Sequence, residues 1–205
     1  SNIGNITVTQ QSQESQIETM ATPGTDEGVM VTGISYTNAG TIEFCYNTGS
    51  LEGIGKKSSL LTGIAINVQW NANTIAGKIY NCYNTGNLKS ECLYEGWEFT
   101  GSGFAGISMC SLEISNCYNT GKFETENQTK VDVEDGINKC DSVTNYYYLE
   151  NILPQEIDSI TEMTEQDMKS DNFVNTLNTN AEQLGKEGRF IRDDNRNNGY
   201  PIIEK

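Results

Sequence analysis

Cysteine has the most reactive side chain in this sequence, and three of the six cysteines recur at nearly equal spacing. Cys45, Cys82 and Cys117 are separated by 37 and 35 residues. Thiolates can bind a metal, but a zinc site needs four ligands at about 2.3 Å, whereas equivalent residues of stacked repeats lie in a row about 4.8 Å apart. The spacing therefore predicts a buried, unreactive row of cysteines, with no bound metal and no cofactor.

Two further cysteines share a different position in the repeat. Cys110 and Cys140 each follow a glycine of a recurring Gly-Ile pair by four residues. If the repeats stack, the Cα atoms of these cysteines would lie within disulfide range. The sequence leaves both alternatives open, a disulfide bridge or two thiols.

One acidic segment resembles a calcium-binding loop. It begins at Asp193, has acid or amide side chains at alternate positions, and places Glu204 at the twelfth position. The sixth position of such a loop is normally glycine, but here it is Asn198. A polar turn is therefore the favoured interpretation.

The composition argues against several classes of function. The chain of 205 residues has 28 acidic and 13 basic residues, a net charge of −15, and no histidine. A nucleic-acid partner would require a basic surface. The missing histidine removes the commonest general base and the commonest ligand for transition metals. We therefore predict no catalytic residue, no nucleic-acid partner and, because no apolar run is long enough, no membrane insertion.

Aromatic residues in two long excursions are the candidate ligand-binding residues. Trp70 lies in residues 65–76, and Tyr94 and Trp97 lie in residues 89–104. Exposed rings in loops can stack on sugars or on a protein partner. The alternative is that these rings fold back and cover the wall of the repeat array.

The strongest pattern is a repeat of Cys-Tyr-Asn-Thr-Gly. A degenerate fourth copy occupies 143–147. Gly-Ile pairs that begin at residues 33, 63, 106 and 136 recur once for each copy of the motif. The repeated structural residues are Cys45, Tyr46, Asn47 and Gly49; Cys82, Tyr83, Asn84 and Gly86; and Cys117, Tyr118, Asn119 and Gly121.

The residues around each motif are typical of short strands and turns. Variable lengths between the fixed motifs favour stacked coils with outward loops. The sequence thus predicts an all-β fold, a short parallel β-solenoid of about four repeat coils, with another β-meander repeat as the alternative. The glycine of Asn-Thr-Gly is expected to adopt positive φ. Ile42 and Cys45 would face opposite sides of a straight strand, so either a corner near Phe44 resets the alternation or the cysteines point outward.

Three regions are expected along the chain. Residues 1–30 form an N-terminal strand and linker or cap, residues 31–150 the repeat array, and residues 151–205 a C-terminal cap with short helices. Capping residues and acids near Thr161 and Ser170 predict helix in 160–184, and an irregular or strand-like finish follows. The cap is expected because the end of an array exposes unpaired strand edges.

Residues 33–53 resemble the GLUG-motif repeat of secreted and surface proteins of bacteria, and residues 75–88 and 107–123 resemble the second half of that repeat. That repeat reads approximately Gly-hydrophobic, then Asn-x-Gly-x-Ile-x-Asn-Cys/Ser-Tyr-x-Thr-Gly-x-hydrophobic. The 136–149 copy departs from it by losing Thr-Gly, which suggests a terminal coil. The resemblance covers about two thirds of the chain, and it implies a surface-exposed, adhesin-like array without a catalytic residue.

The expected function is therefore a non-catalytic extracellular module that serves adhesion or acts as a scaffold at the bacterial cell surface. Its expected partners are proteins or glycans of a host or cell surface, and the module itself is expected to be a monomer. The first alternative is a carbohydrate-binding accessory module of a secreted, polysaccharide-active enzyme. A β-helical lyase or hydrolase is the other alternative, although no spacing singles out a pair of carboxylates.

Overall fold

The fold was obtained as a computed structural model of the chain. It describes Gly4 and residues 6–9, 28–36, 38–55, 58–66, 77–92, 101–109, 111–126, 130–132, 140–153 and 157–204. These residues form an all-β structure dominated by short parallel strands, with two helices near the C-terminus. Neither helix has the length and apolar character needed to cross a bilayer.

The strands belong to four successive units, which we number 1 to 4: residues 28–55, 58–92, 101–126 and 130–153. In the described residues, every strand pairing between units is parallel. Equivalent residues of the motifs lie side by side, as in the pairing of Ile42 with Ile79 and of Ile79 with Ile114. The repeat in the sequence is therefore also a repeat in space.

Successive units contribute strands to the same sheets in the same order, and units 2 and 3 have described strands in all of these sheets, which we number I to IV. Sheet I contains β2 (Gly28–Thr32), β6 (Ser58–Thr62), β11 (Gly101–Ala105) and β15 (Lys130–Asp132); sheet II contains β7 (Ala65–Ile66) and β12 (Ser108–Met109). Sheet III contains β3 (Thr41–Glu43), β4 (Tyr46–Asn47), β8 (Lys78–Tyr80), β9 (Tyr83–Asn84), β13 (Glu113–Asn119), β16 (Ser142–Leu149) and β17 (Thr161–Met163). Sheet IV contains β1 (Ile6–Thr9), β5 (Leu51–Gly55), β10 (Leu88–Cys92) and β14 (Phe123–Glu126).

The two ends of the chain extend these sheets. The strand expected near the N-terminus is present as β1, which pairs in parallel with β5. The degenerate fourth copy is also in register, since Tyr146 lies beside Cys117 and Tyr147 beside Tyr118. Residues 161–163, expected to be helical, instead form β17 beside β16. The rest of the linker expected before residue 28 lies outside the described residues.

The glycines of the motifs are required by close packing, and this corrects the expectation of positive φ. Among the described glycines, only Gly185 and Gly199 have positive φ. A Cβ atom on Gly86 would overlap the carbonyl oxygen of Gly49, and one on Gly121 would overlap that of Gly86. Successive units therefore approach too closely at this corner for any side chain.

Gly33 and Gly63 of the Gly-Ile pairs also meet the carbonyl oxygen of the equivalent glycine in the next unit, and in addition they meet the asparagine of the Cys-Tyr-Asn segment. A Cβ atom at Gly33 would lie 2.9 Å from Cγ of Asn47, and one at Gly63 would lie 2.5 Å from Cγ of Asn84. Real Cβ atoms do not approach other atoms so closely. The two sequence motifs are thus two sides of one contact inside each unit.

The residue before each cysteine position has a left-handed backbone. Phe44, Asn81, Asn116 and Asn145 have φ between 51° and 54°. This conformation interrupts the alternation of the strand, and Cys82 and Cys117 point inward with no exposed surface. The predicted corner near Phe44 is confirmed, and the alternative of outward-pointing cysteines is wrong for these units.

Two apolar clusters fill the inside of the stack. One lies against sheet III and contains the isoleucines of both motifs with the inward cysteines: Ile64, Ile79, Cys82, Ile107, Ile114 and Cys117. The other lies between sheets I and IV and contains Val31, Leu51, Leu61, Leu88 and Phe104. Each side chain buried at one position lies beside its equivalent in the next unit, so the core is a set of parallel rows.

The C-terminal segment lies along the side of the stack. It contains α1 (Glu165–Met168), α2 (Asp171–Gln183), the antiparallel pair β18 (Phe190–Ile191) and β19 (Ile202–Ile203), and a 3₁₀ turn at Asn197–Gly199. We call residues 165–204 the strap. Thr164 and Ser170 cap the two helices through hydrogen bonds to the N–H groups of Asp167 and Phe173. Within the region expected to form the C-terminal cap, β17 pairs with β16 of the last unit, whereas the helices contact the flank of several units.

Gly106→Ala should test the close contact between the two motifs. The added methyl group would overlap the side chain of Asn119, so we expect the free energy of unfolding to fall by roughly 1–3 kcal/mol. Denaturant unfolding measures this change. Gly40→Ala is the matched control, because the nearest atom to its Cβ would be 3.9 Å away. Equal effects of the two substitutions would contradict the packing explanation.

Candidate functional site

The tyrosines of the motif form a stacked row on the outer side of sheet III. The rings of Tyr46 and Tyr83 are 5.0 Å apart with an interplanar angle of 6°, and those of Tyr83 and Tyr118 are 5.0 Å apart at 8°. Because the left-handed residue turns the cysteine inward, the tyrosine that follows it points outward. A row of aromatic rings would present a large apolar surface if nothing covered it.

The strap covers this row. Phe173 of α2 packs edge-on against Tyr118 at 5.7 Å and Tyr147 at 5.1 Å. Met168, Leu177, Phe190 and Ile203 complete the same buried cluster. Tyr118 also donates a hydrogen bond to the carbonyl oxygen of Pro201. The apolar surface of the repeat is therefore part of an internal core.

The strap also contacts units 1 and 3 through polar side chains. Lys186 forms an ion pair with Glu43 at 2.7 Å, and the guanidinium group of Arg189 lies 5.3 Å from the ring centroid of Phe44. At unit 3, Asn116 donates to the carbonyl oxygen of Leu177 at 2.8 Å. The strap thus holds units 1 to 4 together from outside, in addition to the strand pairing between them.

Asparagine amides form a second row, buried within the stack. Asn47 donates to the amide oxygen of Asn84 at 2.7 Å, and Asn84 donates to that of Asn119 at 2.7 Å. Each amide group also donates to the carbonyl oxygen of the glycine two residues later, for example from Asn84 to Gly86 at 2.9 Å. These bonds satisfy polar groups that burial would otherwise make costly. The asparagines are structural and not available to a ligand.

The cysteines form a third row, and their hydrogen bonds explain why a small polar side chain suits this position. The N–H groups of Cys45 and Cys82 donate to the sulfur atoms of Cys82 and Cys117, each at 3.4 Å. The Cys82 thiol donates to the carbonyl oxygen of Tyr80 at 3.1 Å. Burial raises the pKa of the Cys82 thiol well above its ordinary value. Such a thiol is a poor nucleophile and a poor metal ligand.

A groove lies between the stack and the strap. Its volume is about 690 Å³. It is lined by Thr85, Asn87, Thr120 and Lys122 from the corner between sheets III and IV, by Leu149, Glu150, Asn151 and Ile152 after β16, and by Glu165, Lys169, Asn198 and Tyr200 of the strap. This is the candidate functional site, because the groove is large and presents many polar groups.

The groove combines charges of both signs. Lys169 forms an ion pair with Glu165 at 2.6 Å, which holds the pKa of that carboxyl group below its ordinary value. The ammonium group of Lys169 also lies 4.6 Å from the ring centroid of Tyr200. Burial, with a smaller effect of Glu165, raises the pKa of Tyr200 to about 12. Tyr200 therefore remains a neutral phenol at physiological pH.

The structure separates the candidate residues of the sequence into two groups. The repeated cysteines, tyrosines, asparagines and glycines come together as the rows described above. Trp70, Tyr94 and Trp97 lie outside the described residues, so their role in ligand binding stays a prediction. Cys110 also lies outside them, and the bridge to Cys140 stays open.

The sequence interpretation missed the groove. Its threonines belong to the repeated motif, and Asn87 and Lys122 each follow the motif glycine directly, so their shared position was visible in the sequence. The strap residues opposite them gave no such signal, because they do not repeat.

The described residues include no group of three or more acidic, cysteine or histidine side chains that could hold a metal ion. In the segment that resembles a calcium loop, Asp193 accepts a hydrogen bond from the N–H group of Asn195 at 3.0 Å. The amide oxygen of Asn197 accepts from Thr85 at 2.7 Å. This segment is a polar turn that binds the side of the stack.

Compared with models of protein families, with curated proteins and with solved structures, the chain shows no match.

Phe44→Asn should stabilise the protein. A left-handed backbone is unfavourable for phenylalanine and tolerated by asparagine, and the buried amide nitrogen of Asn81 in the next unit has no hydrogen-bond partner. An asparagine at position 44 would supply an acceptor at that site. We expect the free energy of unfolding to rise by about 1 kcal/mol, measured by denaturant unfolding.

Phe44→Ala separates the effect of removing the phenylalanine ring from the effect of supplying an acceptor to Asn81. Like Phe44→Asn, this variant loses the ring contact with Arg189, but it gains no acceptor for Asn81, so it should be less stable than the parent chain. If both variants were destabilised equally, the missing hydrogen bond at Asn81 would not be the deciding factor.

The buried thiols should resist alkylation in the folded protein. Cys82 has no exposed surface and a raised pKa, so iodoacetamide at pH 8 should label it only after unfolding. Mass spectrometry of the peptides, with and without guanidinium chloride, measures the labelling. Rapid labelling of Cys82 under native conditions would show that the row of cysteines opens.

Proposed function

We propose that this chain is a parallel β-solenoid of GLUG-type repeats, which serves as a non-catalytic extracellular module of a bacterial surface protein. Its role would be adhesion or scaffolding. The single observation that supports this best is the in-register stacking of the motifs, with rows of tyrosine, asparagine and cysteine extending through successive units.

The contacts of the repeated asparagine, cysteine and tyrosine side chains support a structural role. The asparagine amides are occupied by hydrogen bonds between units, and Cys82 is buried with a raised pKa. The tyrosines pack under the strap. The groups that the sequence conspicuously repeats are therefore used to join units, as a rigid spacer or display scaffold requires.

The charge supports an exposed location. The chain carries a net charge of −15, and several charges on the outer faces are paired between units. Lys89 of unit 2 lies 3.3 Å from Glu52 of unit 1 and 3.1 Å from Glu126 of unit 3. Such surface pairs add little stability, whereas a high net charge keeps an extended module soluble and monomeric.

The second candidate is a carbohydrate-binding accessory module of a secreted, polysaccharide-active enzyme. The polar groove beside the strap favours this function, since mixed donors and acceptors suit sugar hydroxyl groups. In this alternative, Trp70, Tyr94 and Trp97 remain the proposed aromatic ligand-binding residues.

Surface location can be tested on cells of the source organism. Antibodies raised against the chain should label intact cells or the culture medium, and brief treatment of intact cells with protease should remove the cell-bound signal. A cytoplasmic protein serves as the control and should be labelled only after permeabilisation. Labelling of this chain only after permeabilisation would contradict the proposed location.

A further inference from the structure

We propose that the groove between the stack and the strap binds a neutral oligosaccharide, with the hydroxyl group of Thr120 as its central contact. The groove volume of about 690 Å³ lies within the range of about 300–1,000 Å³ that is typical of small-molecule sites. This proposal assigns a ligand site to residues outside the aromatic excursions.

The side chain of Thr120 brings a hydroxyl group to the wall of the groove. Thr120 is only 8% exposed and lines the groove. Its hydroxyl group has no hydrogen-bond partner in the described part of the chain. Its oxygen is not among the fully enclosed polar atoms that lack a partner, so this hydroxyl group is open to the groove and positioned for a partner that enters it.

The equivalent threonine shows what such a partner would replace. Thr85 occupies the same position one unit earlier, and its hydroxyl group donates to the amide oxygen of Asn197 at 2.7 Å. Asn197 comes from the strap, and its amide group also donates to the hydroxyl group of Tyr118 at 3.2 Å. At unit 3, a sugar hydroxyl group would accept from Thr120 in the way that the Asn197 amide accepts from Thr85.

The flanking residues repeat with the spacing of the strands, about 4.8 Å. Asn87 accepts a hydrogen bond from the backbone N–H group of Lys122 at 3.1 Å. This contact leaves its amide N–H groups and the ammonium group of Lys122 available in the groove. Donors at regular spacing suit a chain of sugar units, in which hydroxyl groups also recur.

The charges of the groove select for a neutral ligand. Its charged residues are Lys122, Lys169, Glu150 and Glu165, which cancel, whereas the whole chain carries −15. An acidic glycan would be repelled by the chain and by both carboxylates. A polyhydroxylated neutral ligand can both donate to the carboxylates and accept from the lysines, threonine and asparagine. The side chains of Leu149 and Ile152 provide an apolar wall for the faces of the sugar rings.

The test is binding of the full chain to an array of neutral oligosaccharides, with uronate-containing and sulfated oligosaccharides as separate arms. The neutral glycan that binds best is then titrated by calorimetry. Thr120→Val should weaken its binding about tenfold, because one hydrogen bond to a buried group is lost. Lys122→Ala should also weaken binding, and this exposed residue can be changed without disturbing the core.

Thr125→Val is the matched control. Thr125 is an exposed threonine of the same unit and does not line the groove, so this variant should bind like the parent chain. Thermal unfolding of all variants establishes that they are folded. Chemical-shift changes at Thr120 and Lys122 on titration with the glycan should locate the bound sugar.

Three results would overturn the proposal. The first is that the chain binds none of the neutral oligosaccharides tested, and the second is that it binds acidic glycans preferentially. The third is that it binds a neutral glycan but neither Thr120→Val nor Lys122→Ala weakens this binding. Trp97→Ala is included as an independent arm. Loss of binding in that variant alone would place the site in the aromatic excursion, whereas labelling of intact cells tests the surface location separately.

Discussion

The close approach of one unit to the next is the constraint on which the rest of the structure depends. Parallel strands bring equivalent residues to about 4.8 Å, and every side chain must tolerate its own copy at that distance. Flat rings tolerate it by stacking, amides by donating from one unit to the next, and glycines by having no side chain. The sequence repeats these residue types because each satisfies that single condition.

The left-handed residue before the cysteine gives one short segment two faces. It turns Cys82 toward the apolar interior, and it turns Tyr83 outward to the stacked row. Without that reversal, the alternation of a straight strand would place both residues differently. The same local conformation therefore builds the inner core and also creates the aromatic surface that the strap must cover. Unit 1 departs from this pattern with Phe44, and there the amide nitrogen of Asn81 lacks a partner.

The strap gives the array contacts that a simple stack of repeats does not have. A simple stack depends on contacts between neighbours, whereas here a segment distant in sequence contacts units 1, 2, 3 and 4 through residues such as Lys186, Asn197 and Phe173. Unfolding one unit would therefore disturb the packing of the strap on the others. The groove lies where the strap meets residues of units 2, 3 and 4.

The sequence by itself determined the period, the strand-rich fold and the equivalence of the motif residues, because these follow from local preferences and from the demand that identical residues stack. It also indicated the corner at Phe44 as one of two solutions. Only the tertiary structure decided that the glycines serve close packing and not positive φ, and that the C-terminal helices lie on the flank. It also decided that the hydroxyl group of Thr85 bonds to the strap whereas that of Thr120 does not. These features depend on contacts between residues far apart in the chain, such as Thr85 with Asn197, and no local pattern encodes which surface a non-repeating segment will cover.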